Sequence, residues 1–300
     1  MLYAAVSGHH GRPPVRDMGA IDRRQQAQIG PTAMAAGQEW MAALAPLFPG
    51  ASLEGMSEAE ARRLSWLVSG ITVQADWVGS NSEWFPFTGP EHSVQDYWQI
   101  ATAQASRALA QAGLLQSKPA SLEPKNLIGD DLRPMQAAVA GVALPDGPCL
   151  ALIEDATGAG KTKAAIILAH RIIAAGKAGG LFFALPTMAT SEAMFSRMRP
   201  MLRRLFDGQP SLALLHGKRA LSENFAQVRG AQGTRPEDGA CSQWIADDRR
   251  LSLMAEIGVG TIDQALMAVL PTRFNTLRMA ALAGRVLPTL GHEQRELTSQ

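Results

Sequence analysis

The chain has 300 residues, 46% of them hydrophobic and 18% charged, with a formal net charge of +1. This composition supports a packed core and excludes global disorder, and the near-zero charge excludes a chain-wide field for nucleic acid, so any such surface has to be local. Cys149 and Cys241 lack metal-ligand spacing and read as core thiols of a cytoplasmic protein, and the sequence predicts neither a signal segment nor a membrane span.

Residues 1–19 read as a loop containing Gly8-His9-His10-Gly11-Arg12. The first clear element is a helix over about 58–78. Ser57 and Glu60 form a capping box at its start, and Leu64, Leu67, Val68, Ile71, Ala75 and Val78 recur at helical spacing as its expected buried face. Asp76 sits beside that stripe. Two neutral imidazoles, His9 and His10, with a carboxylate suit a transition metal or a two-metal hydrolytic centre. From the residues alone the plainer reading is favoured: two loop histidines and an aspartate that caps or pairs locally. A second helix covers about 94–112 and stops at Gly113, and 116–131 reads as a linker.

Beyond 131 the texture changes. Short apolar runs at 149–153, 181–185, 211–215 and 257–261 alternate with helical patterns near 133–142, 161–175, 188–205, 262–270 and 275–284. That alternation predicts an α/β region with a parallel sheet and helices on both faces.

Residues 155–162 read Asp-Ala-Thr-Gly-Ala-Gly-Lys-Thr between an apolar run and a helical one. A strand, a Gly-rich turn and a helix start make a phosphate cradle from backbone N–H groups. Thr157, Gly158, Ala159 and Gly160 would form the turn, Lys161 would reach the β- and γ-phosphates of ATP, and the Thr162 hydroxyl would hold magnesium. Asp155 stands where the full pattern has its first glycine. Gln136 offers one donor and one acceptor to an adenine edge, although a glutamine on a helix is usually a solvated side chain. Pro186 and Thr187 follow the second apolar run, where a hydroxyl and free N–H groups at a helix start suit a nucleic-acid phosphate, and Thr187 also reads as an N-cap. Arg197, Arg199, Arg203 and Arg204 read first as a solvated face. His216 reads as a loop histidine with no catalytic duty. Thr261 ends the fourth apolar run, the usual place for ligand contacts in such sheets.

Five pieces carry a resemblance: 5–14 (Ala-Val-Ser-Gly-His-His-Gly-Arg-Pro-Pro), 75–81 (Ala-Asp-Trp-Val-Gly-Ser-Asn), 157–162, 184–190 (Ala-Leu-Pro-Thr-Met-Ala-Thr) and 259–266 (Val-Gly-Thr-Ile-Asp-Gln-Ala-Leu). In this order they resemble the helicase–nuclease of type I CRISPR systems, a superfamily-two DNA helicase fused to a histidine–aspartate (HD) nuclease. The resemblance implies an all-α partial HD nuclease domain at 1–115, a linker at 116–131, the first RecA-like motor domain at 132–287 and a polar tail at 288–300. It implies ATP-driven translocation on single-stranded DNA and metal-dependent DNA cleavage in antiviral defence, with an RNA-guided surveillance complex as partner. By the same resemblance His9, His10 and Asp76 are ligands of a divalent transition metal of unknown identity. Gln136 reads adenine, Lys161 and Thr162 hold ATP and magnesium, and Pro186, Thr187 and Thr261 contact DNA.

Lys163 departs from the family, which commonly has glutamate there. The family's earlier metal ligands would precede residue 1, and its acidic box and second motor domain would follow Leu287. The expectation is therefore an internal fragment with negligible turnover of its own. The alternative is a non-catalytic ATP- or DNA-binding remnant or scaffold.

Overall fold

In the computed structural model, which describes residues 5–6, 30–208, 210–217, 245 and 251–290, the expected parallel sheet is present. Its strands are β2 (Leu181–Leu185), β4 (Leu212–Leu215) and β5 (Ile257–Thr261), in the order β2-β5-β4. Both neighbours of β5 are parallel to it, with Leu185 opposite Thr261 and Leu215 opposite Gly260. Every residue of the three strands is buried, which is why they read as continuous apolar runs rather than alternating ones. Residues 286–289 extend the sheet beyond β2 through bridges Leu181–Val286 and Ala184–Thr289, with Phe182 N donating to Val286 O at 2.8 Å. Phe182, Phe183, Phe195 and Phe206 are among the largest fully buried side chains, each contributing about 1.5–3 kcal/mol relative to an exposed ring.

The run at 149–153, expected as the strand leading into the phosphate cradle, does not join the sheet. It has no secondary structure, Leu150 is 98% exposed and Leu152 is 82% exposed. Apolar composition marks a segment that can pair, but pairing needs a neighbour, and no described strand lies beside this one.

The remaining elements follow in chain order. α1 is Pro31–Leu44, continued by a 3₁₀ turn at Ala45–Leu47, and the sequence pattern predicts neither. α1 has no buried residue, and its periodicity is correspondingly weak. α2 is Glu58–Gly79 and α3 is Val94–Ala112, both as expected. The Ser57–Glu60 capping box forms, with Ser57 N donating to Glu60 Oε2 at 2.9 Å. The buried face of α2 differs in part from expectation: Val78 is buried as expected, together with Ser65, Ser69, Gly70 and Val73, while Ile71 is 57% exposed. Small residues, not bulky ones, mark the face on which a neighbour approaches closely.

The stretch expected as a linker is ordered. β1 (Lys118–Pro119) pairs antiparallel with β3 (Phe206–Asp207), and α4 (Pro124–Ile128) buries Leu127 and Ile128. His170, buried on α6 (Lys161–Ala174), donates from Nε2 to Ala120 O at 2.8 Å, and burial holds its pKa below the ordinary histidine value. α5 is Pro134–Gly141. The helix expected over 188–205 is broken into α7 (Met188–Met198), a 3₁₀ turn at Arg199–Met201 and α8 (Leu202–Leu205). Pro200, whose ring blocks a continuous helix, accounts for the break. α9 is Ile262–Leu266, shorter than expected, and α10 is Asn275–Leu282.

Contacts divide the chain into two compact units: Met1–Ala110 with Ala268–Ala281, and Gln111–Met267 with Leu282–Gln300. The sequence pattern assigns α10 to the α/β region, yet most of it clusters with the helical unit.

In the α/β unit, Glu256 is buried and joins three segments. Its carboxylate accepts from Ser117 N, from Ser117 Oγ at 2.8 Å and from Ser211 N at 3.2 Å. Burial raises its pKa above the ordinary value of 4.5, against the lowering effect of these donors and of Arg285. The Arg285 guanidinium donates to Met254 O at 2.8 Å, Ala255 O at 2.6 Å and Glu256 O at 3.0 Å. Burial pushes its pKa down to about 10, which leaves it charged at neutral pH. Among the described residues no helix is long and apolar enough to cross a membrane.

Candidate functional site

A cleft of about 920 Å³ opens around the Gly-rich turn, lined by Asp130, Asp131, Arg133, Gln136, Thr157, Gly158, Gly160, Lys161, Thr162, Lys163 and Arg197. Four cations outnumber two carboxylates there, so the cleft favours an anion. Gly160 takes φ 97° as the residue before α6, a backbone that side chains rarely adopt, and it presents the helix start to the cleft without a side-chain cap. Lys161 is the first residue of α6. Its ammonium is folded onto the loop, donating to Asp155 O and to Ala156 O at 3.1 Å. The loop carbonyls thus hold the cation where an anionic ligand would otherwise draw it.

α5 fixes this turn from the other side. Arg133 Nη1 donates to Gly158 O at 2.6 Å, and Gln136 Nε2 donates to Gly160 O at 3.2 Å. Gln136 Oε1 accepts from Arg133 N at 3.1 Å, and Gln136 is 2% exposed. An amide has two N–H groups and two lone pairs, so one of each is committed to the protein. A Cβ at position 160 would lie 2.4 Å from Gln136 Nε2. Gly160→Ala is therefore expected to displace the α5 latch and strain the turn, at a cost of about 1–3 kcal/mol in the unfolding free energy read by a urea melt.

Lys163 forms an ion pair with Asp130 across the cleft rim. The Lys163 ammonium, by hydrogen bond and then by charge, holds the Asp130 carboxyl below the usual aspartate range. Neither Asp130 nor Arg133 stands out in the sequence. Both lie within six residues of Gln136, and that proximity is the available signal.

The parallel register brings the other candidates to one end of the sheet. Pro186 and Thr187 follow β2, His216 follows β4, and Thr261 ends β5. Thr187 caps α7 as expected: Thr190 N donates to Thr187 Oγ1 at 3.1 Å, and Thr187 N to Thr190 Oγ1 at 3.2 Å. Both Pro186 and Thr187 are exposed. Thr261 precedes α9 but makes no side-chain cap and is 7% exposed. His216, expected as an idle loop residue, is buried and its Nε2 donates to Glu192 Oε1 on α7 at 2.8 Å. A pair 24 residues apart in sequence is visible only once the strands are assembled.

Asp76 is exposed near the end of α2, and His9 and His10 lie outside the described residues. Among the described residues no three His, Cys, Asp or Glu side chains form a group that could hold a metal ion.

A family profile described as "Cas3, HD domain" matches residues 1–85. The chain is 31% identical to the CRISPR-associated endonuclease/helicase Cas3 of Escherichia coli, covering 94% of this chain and 33% of that protein. It is 34% identical to the protein of the same name from Thermus thermophilus, covering 95% of this chain and 32% of that protein. The crystal structure of T. fusca Cas3-ADP superposes with a TM-score of 0.78 at 28% identity, over 95% of this chain and 32% of that one. The chain thus spans about a third of the length of the relatives it matches. With a helical region matching the HD profile and a small parallel sheet with helices, this chain is similar to the CRISPR-associated endonuclease/helicases named Cas3 over about a third of their length.

Proposed function

We propose that the turn at 157–162 is the ATP site of a RecA-like motor domain. The observation that carries this reading is Lys161 at the start of α6, directly after a left-handed Gly160, opening on a cation-rich cleft. Bound ATP would place its phosphates on the N–H groups of the turn and draw Lys161 off the carbonyls of Asp155 and Ala156. Thr162, in the same cleft, supplies the hydroxyl that would hold the accompanying magnesium ion. Gln136 would meet adenine with its remaining N–H and lone pair. Pro186, Thr187 and Thr261 would contact single-stranded DNA, since the register sets them at one end of the sheet. By kinship with Cas3, the activity is ATP-dependent translocation on single-stranded DNA coupled to metal-dependent cleavage, delivered through an RNA-guided surveillance complex. His9, His10 and Asp76 are proposed as ligands of a divalent metal on the strength of the match to the HD profile.

A second reading, ATP and DNA binding without turnover, is favoured by one observation. The segment entering the turn, 149–153, is not held by the sheet. Titration of the folded chain with ATP and magnesium tests the first claim, and saturable binding is expected. A folded chain with no saturable binding at millimolar ATP overturns it. Phosphate release stimulated by an oligodeoxynucleotide then separates motor from binding module.

A further inference from the structure

The cleft at the Gly-rich turn lies wholly within the α/β unit, and four cations line it. Three of them are already committed to the protein. Lys161 donates to the carbonyls of Asp155 and Ala156, Arg133 donates to the carbonyl of Gly158, and Lys163 pairs with Asp130. Arg197 differs: among the described residues its guanidinium makes no hydrogen bond and no ion pair.

The backbone that carries Arg197 is firmly seated. Arg197 stands in the last turn of α7, on which Ser191, Met194, Phe195 and Met198 are buried. Their spacing of three and four residues fixes one face of the helix in the core. Ala193, Ser196 and Arg197 are exposed on the other face. An arginine in a last turn suits the helix dipole wherever it points. What sets Arg197 apart from Arg199, Arg203 and Arg204 is that it alone of the four lines the cleft. A guanidinium stays charged, and its planar fork of N–H donors matches the oxygens of a phosphate two at a time. Lys161 has to leave two carbonyls before it can meet an anion, whereas Arg197 has no internal bond to break.

We propose that Arg197 is a further nucleotide-binding residue of the cleft, donating to the phosphate oxygens of bound ATP from a helix outside the Gly-rich turn. This deepens the ATP reading given above and rests on it. The phosphates are then held from two elements, the turn at the start of α6 and the last turn of α7, so that filling the cleft also restrains α7 near Arg197.

Titration calorimetry on the full chain, with magnesium and ATP and separately with inorganic tripolyphosphate, tests this alongside hydrogen exchange. Arg197→Gln is expected to weaken binding of both anions about tenfold, the scale of one hydrogen bond to a charged group. Arg197→Lys, which keeps the charge and loses the fork, should recover part of the loss. The urea midpoint should stay in place in both variants, because Arg197 is exposed and bonds to no described residue. At saturating ATP, amide exchange at 194–199 should slow in the wild type and not in Arg197→Gln. Equal ATP affinity in Arg197→Gln overturns the inference and leaves the ATP reading standing. A weaker affinity without that difference at 194–199 makes Arg197 a remote charge and likewise overturns the contact. Wild-type binding of tripolyphosphate but not of ATP overturns the ATP reading, and the tripolyphosphate titrations then decide whether Arg197 is a phosphate ligand. A folded wild-type chain that binds neither anion overturns both.

Discussion

Lys161→Ala is expected to weaken ATP binding on the order of a hundredfold while leaving the unfolding midpoint unchanged. Removing one partner of a desolvated, hydrogen-bonded charge pair costs about 2–5 kcal/mol. The lower part of that range applies, because Lys161 must first release the carbonyls of Asp155 and Ala156. About 2.7 kcal/mol corresponds to the hundredfold loss. Stability is spared because the lysine bonds to Asp155 O and Ala156 O are made to exposed loop carbonyls. Calorimetric titration with ATP and magnesium, paired with a urea melt, checks both halves. Equal affinity in the variant would remove Lys161 from the site and with it the proposed orientation of the phosphates.

The second large effect concerns stability. Glu256→Ala strips the acceptor from Ser117 N and Ser211 N in a buried place. A buried donor left unsatisfied costs about 1–3 kcal/mol, so the pair predicts a loss of roughly 2–6 kcal/mol in the urea unfolding free energy. An unchanged unfolding free energy in the variant would mean that water takes over both donors, and it would remove Glu256 as a tie between these segments. The same residue sets a pH dependence. Its folded-state pKa lies above 4.5, so the folded chain holds this proton more tightly than the unfolded chain does. The resulting stabilisation is fully present below 4.5 and is lost as pH rises through the folded value. Glu256→Gln cannot titrate. The difference in unfolding free energy between wild type and Glu256→Gln should therefore drift against the wild type as pH rises through that window and stay flat above it.

How much of this was legible depended on how local the cause was. The Gly-rich turn, the Ser57 capping box and the Thr187 cap are set by neighbours within a few residues, and each was readable. The run at Leu181–Leu185 was readable because a strand buried on both faces is apolar throughout, and Ile257–Thr261 because it carries no charged residue. Residues 149–153 look the same in sequence and pair with nothing described, since composition reports the capacity to pair and not the presence of a partner. The buried face of α2 was misplaced for a related reason. Periodicity found its bulky stripe, whereas the close neighbour α10 selects Ser69 and Gly70. The Glu192–His216 pair, the Glu256 tie and the Phe274–Trp77 contact join residues 24 or more apart, and no spacing rule reaches them. In the candidate site the glycines and Lys161 were visible as a motif. That Gln136 also holds Gly160 from behind follows only from the packing of α5 on α6.

The exposed pair Leu150 and Leu152 bears on how the chain behaves at high concentration. Exposed apolar side chains on a stretch that no described strand pairs with can act as a template for the same stretch of another molecule. Pro148 on one side and Glu154-Asp155 on the other confine that template to five residues. Proline and charge at the flanks of an aggregation-prone run act as gatekeepers, limiting how far two copies can zip together. Intermolecular pairing here is thus bounded in length by the residues that introduce the phosphate-binding turn.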